Sequence, residues 1–235
     1  MTQEENIALV TGGSRGIGKA IVHTFLMEGF TVIFTGTSKE TVEAAMHDFA
    51  EYKEKAIGQV CDVTETAQVN ALAKEVKAHG RLNVLVNNAG VFVPDTFAEG
   101  DAFVLRKLME INVFGTYAVS QAVLPLLLKT KQSHIFNTCS IAGQKAYPNG
   151  CSYSVSKFAM DGLGKSMRLE LMDKGVRVTN VYPGATYTDS WASSDLPKSR
   201  FMQADDVAKS ILNAYSINEF SDVEEIVIRP ILGDI

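Results

Sequence analysis

Short apolar runs alternate with stretches of helical period along this whole chain, and that alternation limits its fold more than any other feature. The runs lie at 6–11, 31–35, 55–60, 82–86, 133–138, 176–182 and 225–229. Helical segments come after the first six, at about 18–28, 38–51, 65–78, 102–128, 152–172 and 205–215. Strands separated by helices pair in parallel through crossovers, and right-handed crossovers cover both faces of the sheet. The 235 residues suit one such unit. No Pro/Ser linker, repeat or low-complexity block divides them, so a single domain over 1–235 is expected. Pro125 is expected to kink the long 102–128 helix.

The first run leads into Thr11-Gly-Gly-Ser-Arg-Gly-Ile-Gly18 and then a helix. Gly12, Gly16 and Gly18 allow a tight turn and a close backbone approach to a pyrophosphate. The helix N-terminus then binds it through free N–H groups and its dipole. Ser14, Arg15 and Ile17 complete that turn. The expectation is a doubly wound Rossmann fold with a seven-stranded parallel sheet flanked by helices, with ligand at the carboxyl ends of the strands. The second run ends Thr35-Gly36-Thr37-Ser38, without the acid that would bind the ribose 2′-hydroxyl of NAD. Arg15 is instead placed to pair with a 2′-phosphate, and Thr37 and Ser38 add hydroxyls. This favours NADP(H). Asp62 ends the third run and suits either the adenine amino group or a cap on the next turn.

Tyr153 and Lys157 stand one helical turn apart on a shared face. An ammonium beside a phenol is expected to lower its pKa, so Tyr153 could exchange a proton with a substrate oxygen. Ser140, thirteen residues earlier, ends a strand and can hold a carbonyl oxygen. Asn112 lies mid-helix, a poor place for Asn unless its amide is occupied. Serine hydrolysis is disfavoured, because Ser140 sits in no G-x-S-x-G elbow and has no histidine partner. Cys61, Cys139 and Cys151 show neither metal nor disulfide spacing, so no metal is expected.

Hydrophobic residues make up 46% and charged residues 21%, a globular composition. A net charge of −5 without a basic block argues against nucleic acid as a partner. No apolar run is long enough to span a membrane, and residues 1–6 do not read as a signal peptide. A cytoplasmic location is expected.

Taken in order, TGGSRGIG (11–18), Asp62-Val63, NNAG (87–90), Asn112, Ser140, YSVSK (153–157) and PGATYT (183–188) resemble the short-chain dehydrogenase/reductase family over nearly the whole chain. The resemblance implies a tetrad of Asn112, Ser140, Tyr153 and Lys157, with Asn112 holding a water in a proton relay through Lys157. It implies that Asn88, Ala89 and Gly90, with Asp62 and Val63, line the adenosine side of the cofactor. Pro183, Gly184, Thr186 and Thr188 would position the nicotinamide, with Tyr153 and Lys157 beside it. The Thr-Gly-Thr-Ser stretch is similar to NADP-using members, notably 3-oxoacyl-carrier-protein reductases and related carbonyl reductases. A 3-oxoacyl thioester is therefore the expected substrate. Diketones, pterins and 3-hydroxy acids are runners-up, and a non-catalytic NADP sensor is the contrasting reading. The family also implies a homodimer or homotetramer through helices 102–128 and 152–172, with Leu124, Leu126, Leu127, Leu128, Met160, Leu163, Met167 and Leu171 as contact residues. Pocket shape is expected to depend on 91–97, 142–150 and 185–203, where Phe92, Tyr147 and Trp191 suggest an apolar wall.

Overall fold

The computed structural model describes residues 6–188, 191 and 194–234. Part of the expected 185–203 loop (189–190 and 192–193) and most of the N-terminal stretch 1–6 lie outside the described residues. Strands β1 (Ile7–Val10), β2 (Thr31–Gly36), β3 (Ala56–Val60), β4 (Val84–Asn87), β5 (Ser133–Thr138), β6 (Val176–Pro183) and β7 (Glu225–Ile228) form one sheet. Every neighbouring pair is parallel, in the order β3-β2-β1-β4-β5-β6-β7. The chain winds outward from β1 to β3, then returns to place β4 beside β1. Such a reversal leaves a crevice at the carboxyl ends of β1 and β4, where ligands bind in sheets of this kind.

The strands lack a polar face because both faces are covered. Ala8 and Val10 point into one core with Val32, Phe34, Val84, Val86 and Phe136. Ile7 and Leu9 point into the other with Ile33, Leu85 and Ile135. Helices α1 (Gly16–Met27), α2 (Lys39–Asp48) and α7 (Ala204–Tyr215) cover the first face. Helices α3 (Thr66–Ala78), α5 (Gly115–Leu127) and α6 (Cys151–Leu171) cover the second.

The long helix expected over 102–128 is divided. It comprises α4 (Ala102–Met109), a wide π turn at Glu110–Phe114, and α5. The break falls at Asn112 and not at Pro125, since α5 ends two residues past that proline. A π turn inside a helix often accompanies a functional site. Most residues expected to pack across a two-fold are spent within the chain: Leu126, Leu127, Met160 and Leu171 are buried, and Leu124 and Met167 pack against the second core. Of the expected residues Leu128 stays exposed at the end of α5, and the other exposed apolar residues on α4–α6 and the π turn are Phe103, Phe114, Tyr117, Val155, Phe158 and Leu169.

Candidate active site

The glycine turn joins β1 to α1. Gly12 and Gly16 have φ of +62° and +54°, a region that L side chains rarely adopt. A Cβ on Gly12 would stand 2.9 Å from the Ala89 Cα, and one on Gly18 would overlap the Gly12 carbonyl oxygen. The turn is stitched to the end of β4. Asn88 Nδ2 donates to the carbonyls of Thr11 (3.1 Å) and Gly12 (3.0 Å). The Thr11 hydroxyl accepts from the backbone N–H groups of Asn88 and Ala89, both at 3.0 Å. Gly12 N–H donates to Thr35 Oγ1 at 3.0 Å. Asn88 therefore shapes the turn from within.

No side chain caps α1, whose N-cap residue is the exposed Arg15. By contrast, Ser38 caps α2 and Asp101 caps α4. The first N–H groups of α1 thus remain open to an anion. Ser14 Oγ approaches Gly36, and Thr37 is exposed beside them. Ser38 caps α2: its oxygen accepts from Thr41 N–H (3.3 Å), and its hydroxyl lies 3.4 Å from Thr41 Oγ1. Glu40 adds a carboxylate there, held below its usual range by its own backbone N–H and by Ser38. Asp62 realises the capping alternative: its Oδ1 accepts from Thr64 N–H (2.9 Å) and from the Thr64 hydroxyl (2.8 Å). Val63 is buried in the second core. Thr188 packs near Gly16, and Thr186 donates to the Gly184 carbonyl at 3.0 Å, which draws the stretch after β6 toward the glycine turn. Pro183 closes β6, and Gly184 N–H donates to Ile228 at 2.8 Å.

The other wall of the crevice brings the four expected catalytic residues together. Ser140 lies just past β5, close enough to the Tyr153 phenol to favour its ionised form, and its Oγ accepts from Ala142 N–H at 3.1 Å. Lys157 is 5% exposed, with its ammonium 5.7 Å from the Tyr153 ring centre. It donates to the Thr138 carbonyl at 2.8 Å. Asn112 is wholly buried and its amide is indeed occupied. Oδ1 accepts from Val91 N–H (2.9 Å), and Nδ2 donates to the Val91 carbonyl (3.1 Å) and to Ser156 Oγ (3.0 Å). Gly90 lies against both, since a Cβ there would stand 3.1 Å from Asn112 Oδ1 and 3.7 Å from Lys157 Nζ.

The expected direction of the phenol shift is reversed. Burial pushes Tyr153 up to about 12, against the downward pull of the Ser140 hydroxyl. Burial also lowers Lys157 to about 8. Desolvation disfavours both charged forms. Tyr153 is accordingly protonated throughout the neutral range.

Several residues not anticipated from the sequence hold this wall. Asp95 accepts from the N–H and the hydroxyl of Ser152 at the start of α6. Beneath the site runs a ladder of buried amides. Asn87 Nδ2 donates to Ser120 Oγ (2.8 Å) and Asn137 Oδ1 (3.0 Å), and Asn137 Nδ2 donates to Asn180 Oδ1 (3.1 Å). Asn180 Nδ2 then donates to the Asp161 carbonyl (3.0 Å) and carboxylate (3.1 Å) on α6. The visible signal was an asparagine near the end of three apolar runs, where β propensity is poor.

A family model described as short chain dehydrogenase matches residues 6–198. The chain belongs to the short-chain dehydrogenase family. Among its relatives, a 3alpha-hydroxysteroid dehydrogenase of Mediterraneibacter gnavus is 34% identical over 90% of each chain. A sepiapterin reductase of Chlorobaculum tepidum is 31% identical over 98% of each. Among solved structures, that of ElxO with NADP bound is 29% identical, with a TM-score of 0.89 over 97% of this chain and 98% of that one. This short-chain dehydrogenase is thus an oxidoreductase acting on CH–OH or C=O groups, and none of its described helices is long and apolar enough to cross a membrane.

Proposed function

We propose that this short-chain dehydrogenase reduces a ketone or aldehyde at the expense of NADPH, with Tyr153 as the proton donor. The observation that carries the reading is the meeting of the Ser140 hydroxyl and the Tyr153 phenol beside the buried Lys157 ammonium, across the crevice from an uncapped glycine turn. The relatives' oxidoreductase names and the NADP held by ElxO agree with it.

When bound, NADPH supplies the hydride. The cradle fits such a group because Gly12, Gly16 and Gly18 keep it free of side chains and the α1 N-terminus keeps its donors open. In this reading Ser14, Ile17 and the turn backbone take the pyrophosphate. Arg15 takes the 2′-phosphate, with Thr37 beside it and Ser38 acting through the cap of α2. Asp62, Val63, Asn88, Ala89 and Gly90 form the adenosine side. Pro183, Gly184, Thr186 and Thr188 form the nicotinamide side. Ser140 holds the carbonyl oxygen and Tyr153 delivers its proton as alkoxide charge develops. Lys157 supplies positive potential beneath the phenol, and Asn112 fixes the π turn and the Val91 backbone against it. A 3-oxoacyl thioester, the substrate read from the sequence, belongs to this class. A ring ketone or diketone is the second reading, favoured by the exposed Phe92 ring packed on Tyr153. A homodimer through α4–α6 is part of the proposal, supported by their exposed apolar side chains.

The test is NADPH oxidation with a panel of carbonyl compounds. Tyr153→Phe is expected to lower kcat by about 10²–10⁴-fold with NADPH affinity unchanged. Turnover close to wild type would remove Tyr153 as the donor. Tight NADPH binding with no turnover across the panel would favour the non-catalytic sensor.

A further inference from the structure

One exposed aromatic ring packs on Tyr153, and a second lies across the turn that opens α6. Phe92 comes directly after the Asn112-bound Val91 and meets the Tyr153 ring edge-on, with centroids 5.1 Å apart, while 45% of its surface stays exposed. Tyr147, 41% exposed, lies across Gly150 at the start of α6. A Cβ on Gly150 would stand only 2.5 Å from its ring. Burial pushes the Tyr147 phenol up to about 12, with Tyr153 and Asp95 adding to the rise, so it stays neutral. Large apolar rings left open beside a buried donor offer a flat, desolvating surface to a substrate.

One edge of this surface, the 91–101 loop, is acidic, while Lys145 stands exposed on the 142–150 edge. The 91–101 loop carries Asp95, Glu99 and Asp101 and no lysine, arginine or histidine. Asp95 anchors the loop to the N-terminus of α6 through Ser152, and Asp101 caps α4. An anionic carrier arm crossing this loop meets no cation, and unpaired like charge is penalised. Phe97, 92% exposed on the same loop, extends the apolar character outward.

We propose that the site selects an uncharged ring ketone, seated on the Phe92 and Tyr147 rings with its carbonyl at Ser140 and Tyr153, over thioesters on a phosphate-bearing carrier. This rests on the ketone-reductase reading of the same site and narrows its substrate class.

The experiment compares kcat/KM for four ketones with NADPH: phenylpropanedione, hexanedione, acetoacetyl-N-acetylcysteamine and acetoacetyl-CoA. The ring diketone is expected to exceed the open-chain one by about tenfold, and the neutral thioester to exceed its CoA counterpart. Phe92→Leu, which keeps apolar packing on Tyr153 but removes the ring, and Tyr147→Leu are each expected to raise KM for phenylpropanedione several-fold. Both should raise KM for hexanedione clearly less than for phenylpropanedione. Equal rates for ring and open-chain diketones, or equal losses on both in the variants, overturn the proposal while leaving the reductase reading intact. A preference for acetoacetyl-CoA over the neutral thioester also overturns it. NADPH binding without turnover of any of the four overturns the reductase reading itself.

Discussion

The two walls of the crevice are built from opposite materials. On the cofactor side, β1 and most of β2 are apolar, and the turn beyond β1 is defined by missing side chains at Gly12, Gly16 and Gly18. On the catalytic side, β4, β5 and β6 bury Asn87, Asn137, Asn180, His134 and Thr179, each committed to a hydrogen bond. A wall that presents backbone N–H groups needs space and a fixed turn. A wall that presents side chains needs those side chains held in one rotamer, which apolar packing alone specifies poorly and a satisfied polar network specifies well. The asparagine ladder tracks the strand register, with Asn87 opposite Asn137 and Asn137 opposite Asn180. Its amides donate in one direction, ending on Asp161 of the helix that carries Tyr153 and Lys157.

The comparison breaks most visibly at Gly18. An added methyl would overlap the Gly12 carbonyl oxygen and crowd Asn88 Nδ2, and neither yields without opening the turn. Gly18→Ala is expected to cost about 3 kcal/mol in denaturant unfolding, at the upper end of ordinary overpacking, and to weaken NADPH binding. Gly162→Ala on α6 is the control, because nothing lies within 4 Å of its Cβ. It should be neutral or stabilise by up to about 1 kcal/mol through the unfolded chain. Equal effects from the two substitutions would mean the turn is not the tight element described.

The ladder gives the next largest effect. Asn137→Ala leaves Asn87 Nδ2 with only Ser120 and Asn180 Oδ1 with no donor, in a region where Asn87 Oδ1 already lacks a partner. An abandoned buried polar group costs about 1–3 kcal/mol, so a loss of about 2 kcal/mol is expected on unfolding. Asn137 immediately precedes Thr138, whose carbonyl receives Lys157. The variant should therefore also lower kcat more than it raises KM for the ketone. A stability loss with unchanged kcat would confine the ladder to holding the sheet.

Both walls were legible in the sequence to different depths. The strand–helix alternation, the glycine turn and the meeting of Ser140, Tyr153 and Lys157 arise from local periodicity and from the end of a strand, so the linear chain displays them. The π turn at Asn112 does not, because it depends on the tertiary bonds from Asn112 to Val91 and Ser156. The sign of the Tyr153 shift was missed because pairing with Lys157 is written in the i, i+4 spacing, whereas burial is not. Ser38 and Asp62 carry side chains that suit a ligand or a cap equally, and only the position of Thr41 and Thr64 separates the two uses. The ladder needed register across three strands, which sequence spacing does not supply.

The far end of the catalytic wall offers the smallest and most graded test. His134, second residue of β5, is wholly buried, with Nε2 2.7 Å from Thr179 Oγ1 and its ring stacked on Phe136. Arg177 faces it across the register on β6, Tyr215 approaches from α7, and Asp222, itself paired with Arg168 of α6, lies 4.0 Å away. Burial, with the nearby Arg177 cation, holds the imidazole well below its usual pKa. The unfolded chain therefore takes up a proton below about pH 6.5 that the folded chain refuses. Stability from this residue is complete above that pH and falls as pH drops, by about 1.4 kcal/mol per unit. The raised carboxyl of Asp222 acts with the opposite sign, nearer the ordinary carboxylate range, so unfolding is best monitored between pH 7.5 and 5.5. Much of the slope should disappear in His134→Gln. A wild-type profile as flat as the variant's would mean that the polar wall accepts a buried charge, and that its side chains are held less rigidly than the glycine cradle opposite.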